Sequence, residues 1–158
     1  MSIERVPITP YGYDKMKKEL ENLIRVERPS VIKAIEEARA FGDLSENAEY
    51  ESAKDRQSFV EGRIQELESK VSRAEIINPD EITNKDRVTF GLTVKMEDLD
   101  TGEEVTYQLV GPDETEPENG KISITSPIGR AMLGKQVDDD VSVNTPGGLR
   151  EFAVLEIL

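Results

Sequence analysis

The stretch YESAKDRQSFVEGRIQELESKVSRA, residues 50–74, decides the reading of the first half of the chain. Tyr50, Ala53, Gln57, Val60, Ile64, Leu67, Val71 and Ala74 step alternately by three and four residues, so one stripe of an α-helix carries apolar or small side chains with a single glutamine among them. Between them stand Glu51, Lys54, Asp55, Arg56, Glu61, Arg63, Glu66, Glu68 and Lys70, the mixed-sign surface of a solvated helix. Only the stripe can be buried, and it needs a partner of the same kind.

The partner lies upstream. Tyr13, Met16, Leu20 and Leu23, then Val31, Ile35 and Ala38, form a second stripe, entered through Thr9-Pro10 with Thr9 as cap and Pro10 in the first helical position. Pro29 lacks a backbone donor and crowds the preceding turn, which predicts a kink between Arg28 and Ser30 but no domain boundary. The stripes meet at Phe41-Gly42-Asp43-Leu44-Ser45, where Gly42 stops the first arm. The simplest packing is an antiparallel helical hairpin whose arms, at about 30 residues and about 1.5 Å per residue, reach about 45 Å. Such a hairpin makes a poor core and a good way to carry a tip far from a body.

Beyond Asn78-Pro79-Asp80 the period changes to two. Short strands are expected at Val88 and Phe90, Thr93 to Met96, Val105 to Val110, Ile122 to Ile124, Val141 to Val143 and Phe152 to Ile157, separated by turns at Asp100-Thr101-Gly102, Gly111 to Gly120 and Thr145-Pro146-Gly147-Gly148. Ser126-Pro127 followed by Ile128 to Leu133 reads as a capped short helix closing at Gly134. The fold class is α+β, with a coiled-coil hairpin over 1–78 and a small, mostly β domain over 79–158.

Composition narrows the chemistry. The 158 residues include no cysteine and no histidine, which excludes disulfides, thiolate zinc sites and imidazole acid–base catalysis. Carboxylates, hydroxyls, amines or a borrowed site must do any work. The net charge of −13 argues against gripping nucleic acid along the whole surface. Residues 1–80 hold 13 basic and 17 acidic side chains, residues 81–158 hold 7 and 16, so an approach to nucleic acid belongs to the first half. No apolar run reaches the roughly 20 residues that span a bilayer, and the first residues lack a basic stretch before an apolar core, so the cytoplasm is the expected location and no membrane partner is expected.

Gly42-Asp43-Leu44-Ser45-Glu46-Asn47 admits two readings. In one, Asp43 is the N-cap of the second helix and Glu46, three residues on, completes a capping box. In the other, two carboxylates at the apex of a projecting hairpin are ligands for a divalent metal. Magnesium is usually held by one or two carboxylates together with water and substrate phosphates, so two side chains on an exposed turn need a second molecule to complete the site.

At these residues the sequence resembles the bacterial Gre transcript-cleavage factors, the GreA type most of all. The resemblance is carried by Glu37-Ala38-Arg39 leading into Gly42-Asp43-Leu44-Ser45-Glu46-Asn47-Ala48-Glu49-Tyr50, by Phe59 and Glu61-Gly62-Arg63-Ile64 on the returning helix, and by Ser126-Pro127-Ile128, Leu133-Gly134-Lys135 and Thr145-Pro146-Gly147-Gly148 in the second half. It covers essentially the whole chain in one order. It implies a coiled-coil domain followed by a domain like the FK506-binding prolyl isomerases (FKBP-like), the latter docking at the rim of the RNA polymerase secondary channel while the hairpin enters it. Asp43 and Glu46 match the family's catalytic acidic pair, which shares a magnesium ion with the polymerase where a backtracked RNA 3′ end is hydrolysed. Asp43 is assigned to the metal, and Glu46 to the metal or its water. Arg39 and Lys54 match basic positions facing the extruded RNA, although a solvated helix face or an intrahelical ion pair explains them as well. Ser126, Pro127 and Ile128 match the region near the channel rim, where a helix cap accounts for the first two. The implied partners are RNA polymerase and the nascent RNA 3′ end, with the protein a monomer and no enzyme on its own.

Three alternatives stand beside this reading: a channel-binding inhibitor that does not promote cleavage, whose relatives carry a different set of tip acids, a prolyl isomerase suggested by the C-terminal fold, and a helix-binding scaffold. The second domain offers an isomerase pocket only Phe90, Tyr107 and Phe152 as aromatics, and the scaffold leaves the tip acids as mere caps.

Overall fold

The computed structural model describes residues 4–42 and 47–158. The chain forms two compact units, one of Tyr13–Arg73 and one of Met1–Gly12 together with Ala74–Leu158. The second unit thus takes in the stretch before Tyr13 as well as the β-rich half.

The helical unit consists of α1 (Pro10–Asn22, whose first turn belongs to the other unit), a π-helical turn (Leu23–Glu27), α2 (Arg28–Arg39) and α3 (Ala48–Arg73). The two stripes meet as their spacing requires. Met16, Leu23, Val31, Ile35 and Ala38 of the first arm are buried, as are Ala53, Val60, Ile64 and Leu67 of α3, and the polar seam member Gln57 is half-buried. Ion pairs join the arms beside this seam: the Arg28 guanidinium forks onto Glu61 with both bonds at 2.8 Å, Arg56 reaches Glu27 at 2.7 Å and Arg63 reaches Glu19 at 2.7 Å. The Arg28 hydrogen bond holds the Glu61 carboxyl below its ordinary value. Pairs this open to solvent contribute little stability, but each is made in only one register of the arms.

Where a kink was expected at Arg28 to Ser30, the helix carries a π turn just ahead, over Leu23–Glu27. Arg28 N–H donates to the Leu23 carbonyl five residues back, and the helix runs on through Pro29 without ending. A π turn holds one residue more than an α turn. That extra residue accounts for the step of eight between Leu23 and Val31, both buried, where two α-helical turns would give seven.

In the β unit, β1 (Val6–Ile8) pairs in parallel with β2 (Ala74–Ile76), and Ile77 N–H adds a bond to the Ile8 carbonyl at 2.9 Å. Neither strand was expected: Ala74, read as the last residue of the helical seam, instead begins β2. The main sheet comprises β3 (Thr93–Asp98), β4 (Glu104–Val110), β5 (Lys121–Ser123), β6 (Asp140–Thr145) and β7 (Gly148–Ile157) in the order β5-β4-β3-β7-β6, antiparallel except for the β4–β5 pair. Val94 and Met96 of β3, Leu109, Val141, Val143, Phe152 and Val154 form its core with Met132 of α4 (Pro127–Met132). The architecture is the α+β one expected, a long helical hairpin and a small mostly β unit.

Val88 and Phe90 do not form a strand. Val88 donates to the Lys135 carbonyl at 2.9 Å and accepts from Gly134 N–H at 2.8 Å, and the chain then turns at Phe90-Gly91. Val88 enters the core as one buried residue of an irregular segment. Asp98 is the one buried charged side chain among the described residues: 2% exposed, it accepts from Asp100 N–H at 2.9 Å and Thr101 N–H at 3.3 Å and pairs with Arg150. Arg150, ahead of the backbone donors, holds its carboxyl below the ordinary value.

Candidate functional site at the hairpin turn

The first arm ends at Arg39, and Gly42 takes φ +100°, a left-handed conformation that glycine adopts without strain. The second arm starts at Ala48, and its cap is Asn47. Asn47 Oδ1 accepts from Tyr50 N–H at 3.0 Å, three residues on, as an N-cap does, while Asn47 Nδ2 donates to the Ala38 carbonyl at 2.8 Å. One amide therefore satisfies a free donor at the start of α3 and an acceptor at the end of α2. The expectation that Asp43 caps α3, with Glu46 closing a capping box, is corrected. The helix begins four residues later than that reading requires, and the N-cap position belongs to Asn47. A short Asx side chain immediately before Ala48-Glu49-Tyr50 was the signal.

Asp43 and Glu46 themselves, the expected catalytic and metal-ligating pair, lie outside the described residues, between Gly42 and Asn47. As donors they suit magnesium, which favours hard carboxylate oxygens. Among the described residues there is no group of three or more acidic side chains that could hold a metal ion. Arg39 is exposed in the last turn of α2, where a cation suits the negative end of the helix dipole. Lys54, exposed near the start of α3, donates to Gln57 Oε1 at 3.1 Å. Both basic residues thus sit toward the turn-bearing ends of their helices, and the partner found for Lys54 is an amide.

The remaining candidates belong to the β unit. Ser126 is the N-cap of α4: its Oγ accepts from Gly129 N–H at 3.1 Å and donates to the Ser123 carbonyl at 2.6 Å. Pro127 fills the first helical position and is exposed, whereas Ile128 packs partly against the core. Of the three, Pro127 offers its side chain most openly to a partner. No helix among the described residues is long and apolar enough to cross a membrane.

The family model described as "Transcription elongation factor, N-terminal" matches residues 6–76, and "Transcription elongation factor, GreA/GreB, C-term" matches residues 83–158. Transcription elongation factor GreA of Thermodesulfovibrio yellowstonii is 53% identical over 154 residues, 98% of this chain and 97% of that protein. Transcription elongation factor GreA of Neisseria meningitidis serogroup A is 54% identical over 155 residues, 98% of each. A solved structure, GreA factor homolog 1 (Gfh1) of Thermus thermophilus, shares 34% identity over 98% of this chain and 99% of that one, with a TM-score of 0.44. With family models over both halves and relatives more than half identical along nearly the whole length, the chain belongs to the GreA/GreB family of transcription elongation factors.

Proposed function

We propose that this protein acts on RNA polymerase as a monomeric cytoplasmic elongation factor, stimulating cleavage of backtracked nascent RNA in the polymerase's own active site. The observation that carries the reading is the sequence pair Asp43 and Glu46 in the turn between two arms that, among the described residues, are buried along the seam joining them. A hairpin built this way stabilises little beyond itself, which suits an arm that delivers its turn to another molecule's site. The strongly acidic β unit is unsuited to RNA and serves as the docking part, with Pro127 beside Ser126 and Ile128 at the contact.

Asp43 and Glu46 contribute carboxylate oxygens, and the polymerase contributes the remaining ligands and holds the RNA. The shared magnesium, when bound, supplies Lewis-acid activation of water and charge stabilisation for phosphodiester hydrolysis. Asp43 would hold the ion, and Glu46 would hold the ion or its water. Arg39 and Lys54 face the RNA phosphates. Two carboxylates without a substrate cradle do not make a nuclease, so the protein alone is a cofactor of the polymerase and no enzyme.

The test is a stalled, backtracked elongation complex supplied with magnesium and either the parent protein, Asp43→Asn or Glu46→Gln. Because Asn47 caps α3, neither change removes the cap, and thermal stability should stay within a few tenths of a kcal/mol. Cleavage should fall by about 100-fold or more while competition for polymerase is retained. Full cleavage by both variants would refute the assignment, and a parent that binds polymerase without cleaving would favour the inhibitor reading.

A further inference from the structure

Glu114 lies in the loop between β4 and β5, and its carboxylate gathers the segment from which the first arm starts. Oε2 accepts from Thr9 N–H at 2.8 Å and from Gly111 N–H at 2.9 Å, while Oε1 accepts from the Thr9 hydroxyl. Thr9 Oγ1 accepts in turn from Gly12 N–H at 3.1 Å, so the cap of α1 is itself held by Glu114. The same loop region touches the segment again where Lys121 Nζ stands 4.1 Å from the centre of the Tyr11 ring. The carboxylate lies close against Gly12: a Cβ there would stand 2.8 Å from Glu114 Cβ and collide with the carboxylate. Parallel pairing with β2 fixes Val6–Ile8, and the Glu114 hydrogen bonds tie Thr9 to the loop between β4 and β5. All these residues belong to the β unit, and α1 continues covalently from Gly12 into the helical one.

We propose that Glu114 is a positioning residue for cleavage. By clasping the root of the first arm to the docking unit, it makes the place to which the arm brings Asp43 and Glu46 reproducible. The proposal rests on the function proposed above. The three bonds accepted by the carboxylate are more than anchoring a surface loop requires, and each of the Thr9 bonds ends on the one residue that caps the arm. A misplacement of reacting groups by about 1 Å can cost on the order of 100-fold in rate, so a loosened root should lower the chemistry more than the docking.

The experiment measures cleavage against protein concentration, giving a plateau rate and a half-saturating concentration, together with amide exchange at Thr9 and Gly12 in the free protein. Glu114→Ala should lower the plateau by about 10-fold or more, leave the half-saturating concentration within about 2-fold, and speed exchange at both amides. Glu114→Gln should recover most of the plateau, because its amide oxygen can accept from both backbone donors while its NH2 donates to Thr9 Oγ1. Gly12→Ala, which forces the carboxylate aside, should lower the plateau in the same way. An unchanged plateau in Glu114→Ala, a loss confined to the half-saturating concentration, or a Gln variant as poor as the Ala one would each overturn the proposal. If Glu114→Ala does not fold, Glu114→Gln and Gly12→Ala decide between these outcomes. A parent that stimulates no cleavage would sink the functional reading instead, and unchanged exchange at Thr9 and Gly12 would then still refute the clasp.

Discussion

Asn47→Ala removes a side chain that serves both helices of the turn. The lost bond to Tyr50 N–H is an N-cap, worth about 1 kcal/mol to the helix, and the lost bond to the Ala38 carbonyl adds about another 1 kcal/mol. Together they come to about 2 kcal/mol, acting at the end of the hairpin beside its turn, so local opening should absorb most of the change. Amide exchange at Tyr50 and Glu51, whose N–H groups bond to the Asn47 side chain and carbonyl, should therefore quicken by about 30-fold, with little change near Ile64. Asn47→Asp separates the two roles. It keeps the acceptor and places a negative charge at a helix N-terminus, but it loses the donor and turns a carboxylate toward the Ala38 carbonyl. Its exchange rates should fall between those of the parent and of Asn47→Ala. Exchange in Asn47→Ala within about 2-fold of the parent would refute the bridging role, and an Asp variant as loose as the Ala variant would refute the cap as its larger part.

Two further outcomes test the units separately. Ile64, 1% exposed at the middle of the seam, should cost about 3 kcal/mol when cut to alanine, read as an earlier loss of helical circular dichroism on heating. A change below about 1 kcal/mol would mean that the seam is not the hairpin's main support. Asp98 has its carboxyl held below the ordinary 3.8, so the stability it contributes is complete above that value and is lost as pH falls through the folded one. The stability gap between parent and Asp98→Asn should accordingly close in acid titration below pH 3.8, and a gap constant from neutral pH into strong acid would refute the Arg150 pairing as its source.

The hairpin was legible because an apolar period of 3.5 sustained over 25 residues fits a helix buried along one stripe and no strand or loop, and every buried residue of α3 lies on the stripe read from the sequence. The β strands with alternating apolar residues were legible for the same reason. Three features were not. β1 and β2 are three residues each and pair across more than sixty intervening residues, so neither carries a periodic signal of its own. Val88 and Phe90 imitate an alternating strand, but Val88 spends its backbone bonds on the loop after α4. At the turn, Asp43, Ser45 and Asn47 are all acceptable caps, and the choice of Asn47 depends on the Ala38 carbonyl lying within reach of its amide, a contact between arms that no local pattern records. The acidic pair was recognisable only through resemblance, because spacing alone allowed a cap.

The parallel pairing of β1 with β2 settles a question of topology. Two parallel neighbours cannot be joined by a tight turn and require a crossover, commonly a single helix packed on the sheet. Here the whole hairpin is that crossover. Its length is consequently set by neither strand, because both ends return to the same pair of anchor points however far the arms extend. Matched insertion of one heptad in each arm would lengthen it by about 10 Å and leave both anchors unchanged. An insertion in one arm alone would have to be absorbed by a local widening, and the π turn between Leu23 and Glu27 is the form such a surplus residue takes in this molecule. Reach is therefore an evolvable quantity in this architecture, adjustable without redesigning the β unit.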